Sequence, residues 1–157
     1  MMLNADIELL RTIDLAVLPV KFDSTEFFVE LNGSIESYCT RTGELSMRYE
    51  IPERMHNGWG VVHGGIISTV LDQTMINALF LTDDQLDAAP TISMSICFIE
   101  SLTSGSAIVT ARPVFVGNRV AQLSAECFNG TENRSLVATA TSSTILRRND
   151  NLKHIEV

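Results

Sequence analysis

Basic charge is scarce in this chain. Lys and Arg number 11 against 19 Asp and Glu over 157 residues, for a net charge of −8. With no basic stripe to neutralise phosphates, a nucleic-acid partner is not expected, and the same deficit argues against an anionic membrane surface. Cysteine is scarcer still. Cys39, Cys97 and Cys127 are odd in number and widely spaced, a pattern of reduced thiols in a cytoplasm rather than of a disulfide framework. The N-terminus carries Asp6 and Glu8 without a basic n-region and does not read as a signal peptide. No apolar run is expected to approach the length of a membrane span. Without a secretory signal, the N-x-S/T triplets at Asn32, Asn129 and Asn133 carry no meaning.

Several catalytic signatures are missing too. Gly58-Trp59-Gly60-Val61-Val62-His63 departs from the dinucleotide fingerprint at its last position and follows no parallel-strand unit. There is no G-x-S-x-G elbow and no H-E-x-x-H. His56 and His154 have no partner at metal-ligand spacing, so no metal site is expected.

What is present is a globular composition, 45% apolar and 19% charged, in a chain long enough to bury a core. It reads as a single domain over residues 1–157, with 1–24 a helical N-terminal extension and 147–157 a polar tail. Asn4 can cap a first helix running to about Leu15, with Asp6 and Glu8 favourable in its first turn. Pro19 prevents its extension. Asp23 and Glu26 suggest a capping box for a short helix that ends at Asn32-Gly33.

From Gly33 the hydrophobic period changes to two. Residues 44–51 alternate, with Leu45, Met47, Tyr49 and Ile51 on one face, and 34–40 form the hairpin partner across Arg41-Thr42-Gly43. Residues 64–81 form one long apolar helix. Strands follow near 91–100, 106–116, 120–129 and 135–146, with turn signals at Gly117-Asn118 and Asn129-Gly130. Consecutive strands joined by tight turns imply an antiparallel sheet, here of about six strands, and the fold class is α+β with one buried helix against it.

Inside that helix stands Asp72. Gly65, Ser68 and Thr69 share its stripe, while apolar residues fill most other directions. An ionised carboxylate there needs hydrogen-bond donors or a cavity, and the small neighbours favour a cavity or a close second chain. Gly64 and Gly65 open the helix, where free N–H groups and the helix dipole favour negative charge and where glycine admits a ligand carbonyl close to the backbone. An oxyanion site can be built this way without side chains. His63, just before them, can hydrogen-bond the loop or a substrate.

The pattern Asn-x-x-Gly-x-x-His-Gly-Gly followed by Asp, here Asn57, Gly60, His63, Gly64, Gly65 and Asp72, resembles the hotdog-fold acyl-CoA thioesterases, in the phenylacetyl-CoA thioesterase-like subfamily. The resemblance covers roughly residues 25–146, including the Val116-Gly117-Asn118-Arg119-Val120 turn. It implies a sheet wrapped around the central helix, sheets paired between subunits of a homodimer or homotetramer, and active sites at the subunit interface. It implies hydrolysis of an acyl-CoA with no metal and no redox cofactor, CoA being part of the substrate. Asp72 would act as general base or as nucleophile, and the Gly65 N–H with Asn57 would polarise the carbonyl. Thr91 falls where some members place a water-positioning hydroxyl. Ile66 and Gln73 stand where smaller residues are common, which would narrow the acyl pocket. Trp59, Met75 and Phe80 are candidates to line an apolar pocket or to belong to the core. Arg112, Arg119, Arg147 and Arg148 are candidates for the phosphates of CoA, since an acidic protein needs local compensation to hold an anion. Two other readings accompany this one: a hotdog dehydratase of hydroxyacyl thioesters, with His63 and Asp72 as its pair, and a non-catalytic acyl-CoA binding module.

Overall fold

The computed structural model of the chain describes residues 5–148. Helix α1 (Ala5–Thr12) and the short strand β1 (Val20–Phe22) lead into helix α2 (Glu26–Leu31), followed by the hairpin β2 (Gly33–Cys39) and β3 (Glu44–Glu50). The central helix α3 (Gly64–Thr82) comes next. After it run β4 (Leu86–Ala88), β5 (Thr91–Phe98), β6 (Ser106–Val116), β7 (Val120–Asn129), β8 (Leu136–Ile145) and β9 (Arg147–Arg148).

Seven strands form one antiparallel sheet in the order β1-β2-β3-β6-β7-β8-β5, and β4 pairs with β9 separately. The expected six strands are those from β2 onward. The seventh, β1, adds three residues to an edge, from within the 1–24 extension expected to be helical. Strand β5 closes the opposite edge, paired with β8 alone among the described residues.

The alternation in β3 places Leu45, Met47 and Tyr49 in the core, fully buried. Beside them Ala111, Ala125 and Ala140 align in register across β6, β7 and β8 and are all buried. Small side chains in a row let the helix lie close to the sheet, and Val70, Leu71, Met75, Ala78 and Leu79 of α3 fill that layer. Met75 and Phe80 are therefore core residues. The polar groups buried with them are paired: the Tyr49 hydroxyl lies 2.9 Å from Thr74 Oγ1, which itself donates to the Val70 carbonyl.

Four details differ from the sequence expectation. Helix α1 stops at Thr12, not Leu15, because the Asp14 carboxylate accepts the Ala16 N–H and turns the chain; Asn4 lies outside the described residues. The capping box at α2 does not form. Thr25 is the N-cap with no side-chain bond, and Ser24 instead donates its hydroxyl to Asp6. Arg147 and Arg148, read as tail, form β9. Finally, α3 with 19 residues is long and apolar enough to cross a membrane by length and composition alone. Half of that window is buried within the fold, as in the core helix of a globular protein.

Candidate active site

Helix α3 is not buried all round. Its core side carries Ile67, Val70, Leu71, Thr74, Met75 and Ala78, whereas Ser68, Thr69, Asp72, Gln73 and Ile76 are half-buried. Ser68 and Thr69 return their hydroxyls to the Gly64 and Gly65 carbonyls at 2.8 and 2.9 Å, so they present little polarity to a ligand. Gln73 faces the N-terminal helix. Its amide donates to Asp6 of α1 and to Asn77, which keys the N-terminal helix to the central one.

Asp72 is thus left on a half-open face, with one donor from the sheet. Thr91, the first residue of β5, gives its hydroxyl hydrogen to Asp72 Oδ1 at 2.8 Å. The structure therefore brings these two expected residues together. Farther along the same strand, Phe98 meets the start of the helix. A Cβ at Gly64 would lie 3.4 Å from the Phe98 ring, an ordinary packing distance, so the strand and the helix are in close contact there.

The loop before α3 is tightly bonded. Asn57 Oδ1 accepts the N–H of Trp59 at 2.9 Å and of Val61 at 3.5 Å, and the Asn57 N–H donates to the Val61 carbonyl at 2.8 Å. Gly60 sits at φ +74°, where glycine carries no Cβ penalty. The end of Asn57 able to donate to a substrate is its Nδ2 group. Trp59 stands at the loop's tip, 89% exposed.

His63 is the N-cap of α3, and its Nδ1 accepts the Gly65 N–H at 3.0 Å. The amide expected to receive a carbonyl oxygen is therefore already bonded. A cavity of about 300 Å³ opens here, lined by Arg54, Met55, His56, His63, Gly65 and Ile66. The sequence reading missed Arg54 and His56. Arg54 pairs with Glu30 of α2 at 3.1 Å, a contact set by tertiary folding that no local pattern announces. Among the described residues, no group of three or more His, Cys, Asp and Glu side chains is placed to hold a metal ion.

The expected arginines are dispersed. Arg112 points outward from β6, on the sheet face away from the core, beside Glu44 and Glu126. Arg119 and Arg147 are exposed neighbours, joined through the Leu146 N–H to Arg119 carbonyl bond. Arg148 is engaged within the chain. Its guanidinium pairs with Asp83 at 2.8 Å and donates to the Asn118 and Gly117 carbonyls, closing the chain onto the end of α3 and the β6–β7 turn.

The fold has solved relatives. A phenylacetic acid degradation-related protein of Ralstonia eutropha JMP134 superposes with a TM-score of 0.73 at 23% identity, over 90% of this chain and 99% of that one. A Streptococcus mutans UA159 protein bound to acetyl CoA gives 0.66 at 24% identity, over 74% of this chain and 90% of that one. The hypothetical thioesterase of Streptococcus pneumoniae TIGR4, solved with coenzyme A, gives 0.66 at 19% identity, over 74% and 87%. No curated protein matches the sequence at a significant level. A sequence model of the thioesterase superfamily matches residues 60–135, from the loop glycine through Asp72 and Thr91 to the residue before β8. The matched residues resemble the thioesterase superfamily, and the sheet wrapped on a central helix is the hotdog fold of these solved relatives.

Proposed function

We propose that this protein hydrolyses an acyl-CoA thioester to the free acid and CoA in the cytoplasm. The observation that carries the reading is the Thr91–Asp72 pair, a carboxylate oriented by one hydroxyl on a half-open helix face. That helix begins with Gly64 and Gly65, within the stretch 60–135 that matches a sequence model of the thioesterase superfamily.

Asp72 has two ways to act. As general base it takes a proton from water while the water oxygen attacks the thioester carbon. As nucleophile it forms an acyl–carboxyl anhydride, expels the CoA thiolate, and is then released by water. In both, negative charge develops on the carbonyl oxygen, where the Gly65 N–H at the helix N-terminus and the Nδ2 group of Asn57 would receive it. This chemistry uses water, a carboxylate and amide donors, and calls for no metal or redox cofactor.

Helix geometry supports a site shared between two copies. Seven residues separate Gly65 from Asp72, about 10 Å along the axis on one face. A carbonyl bonded to the amide and attacked by the carboxylate, or by its water, draws the two groups to within about 6–7 Å. The Gly65 of one chain would then serve the Asp72 of another. Strand β5, which carries Thr91, offers the means. Its outer edge is unpaired among the described residues and bears Ile92 at 56% and Phe98 at 53% exposure. Two β5 edges joined antiparallel would extend the sheets and bring two α3 helices side by side, in a homodimer or a homotetramer of such pairs. Trp59, Arg119 and Arg147 are exposed groups suited to the nucleotide end of CoA, and Arg54, which lines the cavity, is a further one.

Free-thiol release from a panel of aromatic, short-chain and medium-chain acyl-CoAs tests the reading, with wild type beside Asp72→Ala. Turnover that vanishes in the variant, with its Tm kept, is expected. Bound acyl-CoA with no turnover by wild type would instead make the chain a binding module.

A further inference from the structure

The bond between His63 Nδ1 and the Gly65 N–H has a consequence for the empty enzyme. The Gly65 N–H donates and His63 Nδ1 accepts, at 3.0 Å, so the amide is engaged within the chain. The direction in which that amide points is the one along which a thioester carbonyl would have to arrive. One N–H cannot serve both acceptors with good geometry. We propose that His63 is a displaceable cap on the carbonyl-receiving amide, closing it in the empty site and giving way to the substrate oxygen.

The surroundings allow the exchange. The backbone of His63 is fixed, since its N–H donates to the Met55 carbonyl at 3.0 Å and its carbonyl accepts the Ile66 N–H at 2.9 Å. Its side chain is exposed and borders the cavity lined by Arg54, Met55, His56 and Ile66, into which the ring can turn. Gly65 fits the same account. A Cβ there would lie 3.3 Å from Nδ1, so any larger residue would crowd the ring in its capping position. The cap satisfies an amide that otherwise has no partner within the helix. In return, each substrate must replace one hydrogen bond with another, which lowers affinity for the carbonyl below what a bare amide would give. His63 is thus a positioning residue whose action is on the empty state. The inference rests on the hydrolase reading above, in which the Gly65 amide receives the thioester oxygen.

The full-length protein with His63→Ala and with His63→Asn separates this role from a purely structural one. The probe is a ketone analogue of acetyl-CoA in which a methylene group replaces the thioester sulfur, so that it keeps the carbonyl and cannot be hydrolysed. His63→Ala loses a helix cap, and its Tm is expected to fall by about 2–5 °C. The same variant is expected to bind the analogue about tenfold more tightly by calorimetry. His63→Asn, whose side-chain oxygen also caps helices, should return both values toward wild type. A structural cap alone would lower Tm without tightening binding. Unchanged or weaker binding by His63→Ala, with wild type binding normally, overturns the proposal and leaves the hydrolase reading standing. An analogue that binds neither protein overturns both.

Discussion

Thr91 Oγ1 donates to Asp72 Oδ1 at 2.8 Å, and this bond ties the first residue of an open-edged strand to the middle of the central helix. Two elements that would each be ordinary alone are joined at the one carboxylate on the exposed side of α3.

Loss of that bond should cost rate rather than binding. Thr91→Val keeps the shape and removes the donor, so kcat on the preferred acyl-CoA is expected to fall about tenfold to a hundredfold with KM little changed, the range for a hydrogen bond to a charged group. Thr91→Ser should retain most of the rate. A Thr91→Val enzyme at full speed would mean that the bond only braces the strand.

Asn57 has two jobs at opposite ends of its amide, and they can be separated. Asn57→Ala removes the acceptor for the Trp59 and Val61 amides along with the donor offered to the carbonyl. Its kcat is expected to drop by about tenfold to a thousandfold. Asn57→Asp restores the acceptor without the donor. It should recover the wild-type emission of Trp59, the only tryptophan in the chain, but not the rate. Recovery of both by Asp would remove Asn57 from the chemistry.

Ile92 is 56% exposed on β5, so a lysine there costs the isolated subunit little. In a sheet continued across two β5 edges it would place charge into the contact. Ile92→Lys is expected to run as a folded monomer by light scattering and to lose turnover. A monomeric wild type, or an active monomeric variant, would contradict the shared site.

Cys127 is fully buried on β7, and burial pushes its thiol up to about 12 from an ordinary value of 9.0. The sign follows from where the proton is held. Between those values the unfolded thiol ionises while the folded one stays protonated, so stability present below about pH 9 is lost as pH rises toward about 12. Denaturant midpoints measured across that alkaline window should fall, and fall less in Cys127→Ala relative to its own value at pH 8. In the native state a thiol reagent should modify exposed Cys97 and spare Cys127.

Much of this fold was written in local chemistry. The period-two alternation of Leu45, Met47 and Tyr49, the Gly117-Asn118 turn and the apolar run from Gly64 set β3, the β6–β7 hairpin and α3 close to their observed limits, because each depends on neighbours a few residues away. The same holds for the motif, since Asn57, His63, Gly64, Gly65 and Asp72 lie on one loop and the helix it enters. The three-residue strands β1 and β4 and the two-residue β9 escaped notice because such short segments carry no period and exist only through their partners.

What tertiary structure alone decided is who touches whom. That Thr91 meets Asp72 depends on β5 crossing beside α3. That Gln73 faces α1 depends on Asp6 arriving there, and that Arg148 is tied to Asp83 depends on the chain end returning to the helix. Residue type limited which partners each side chain could accept. Packing chose among them, because the contacts that fix these groups join residues 19, 67 and 65 positions apart, distances over which a sequence pattern holds no geometry.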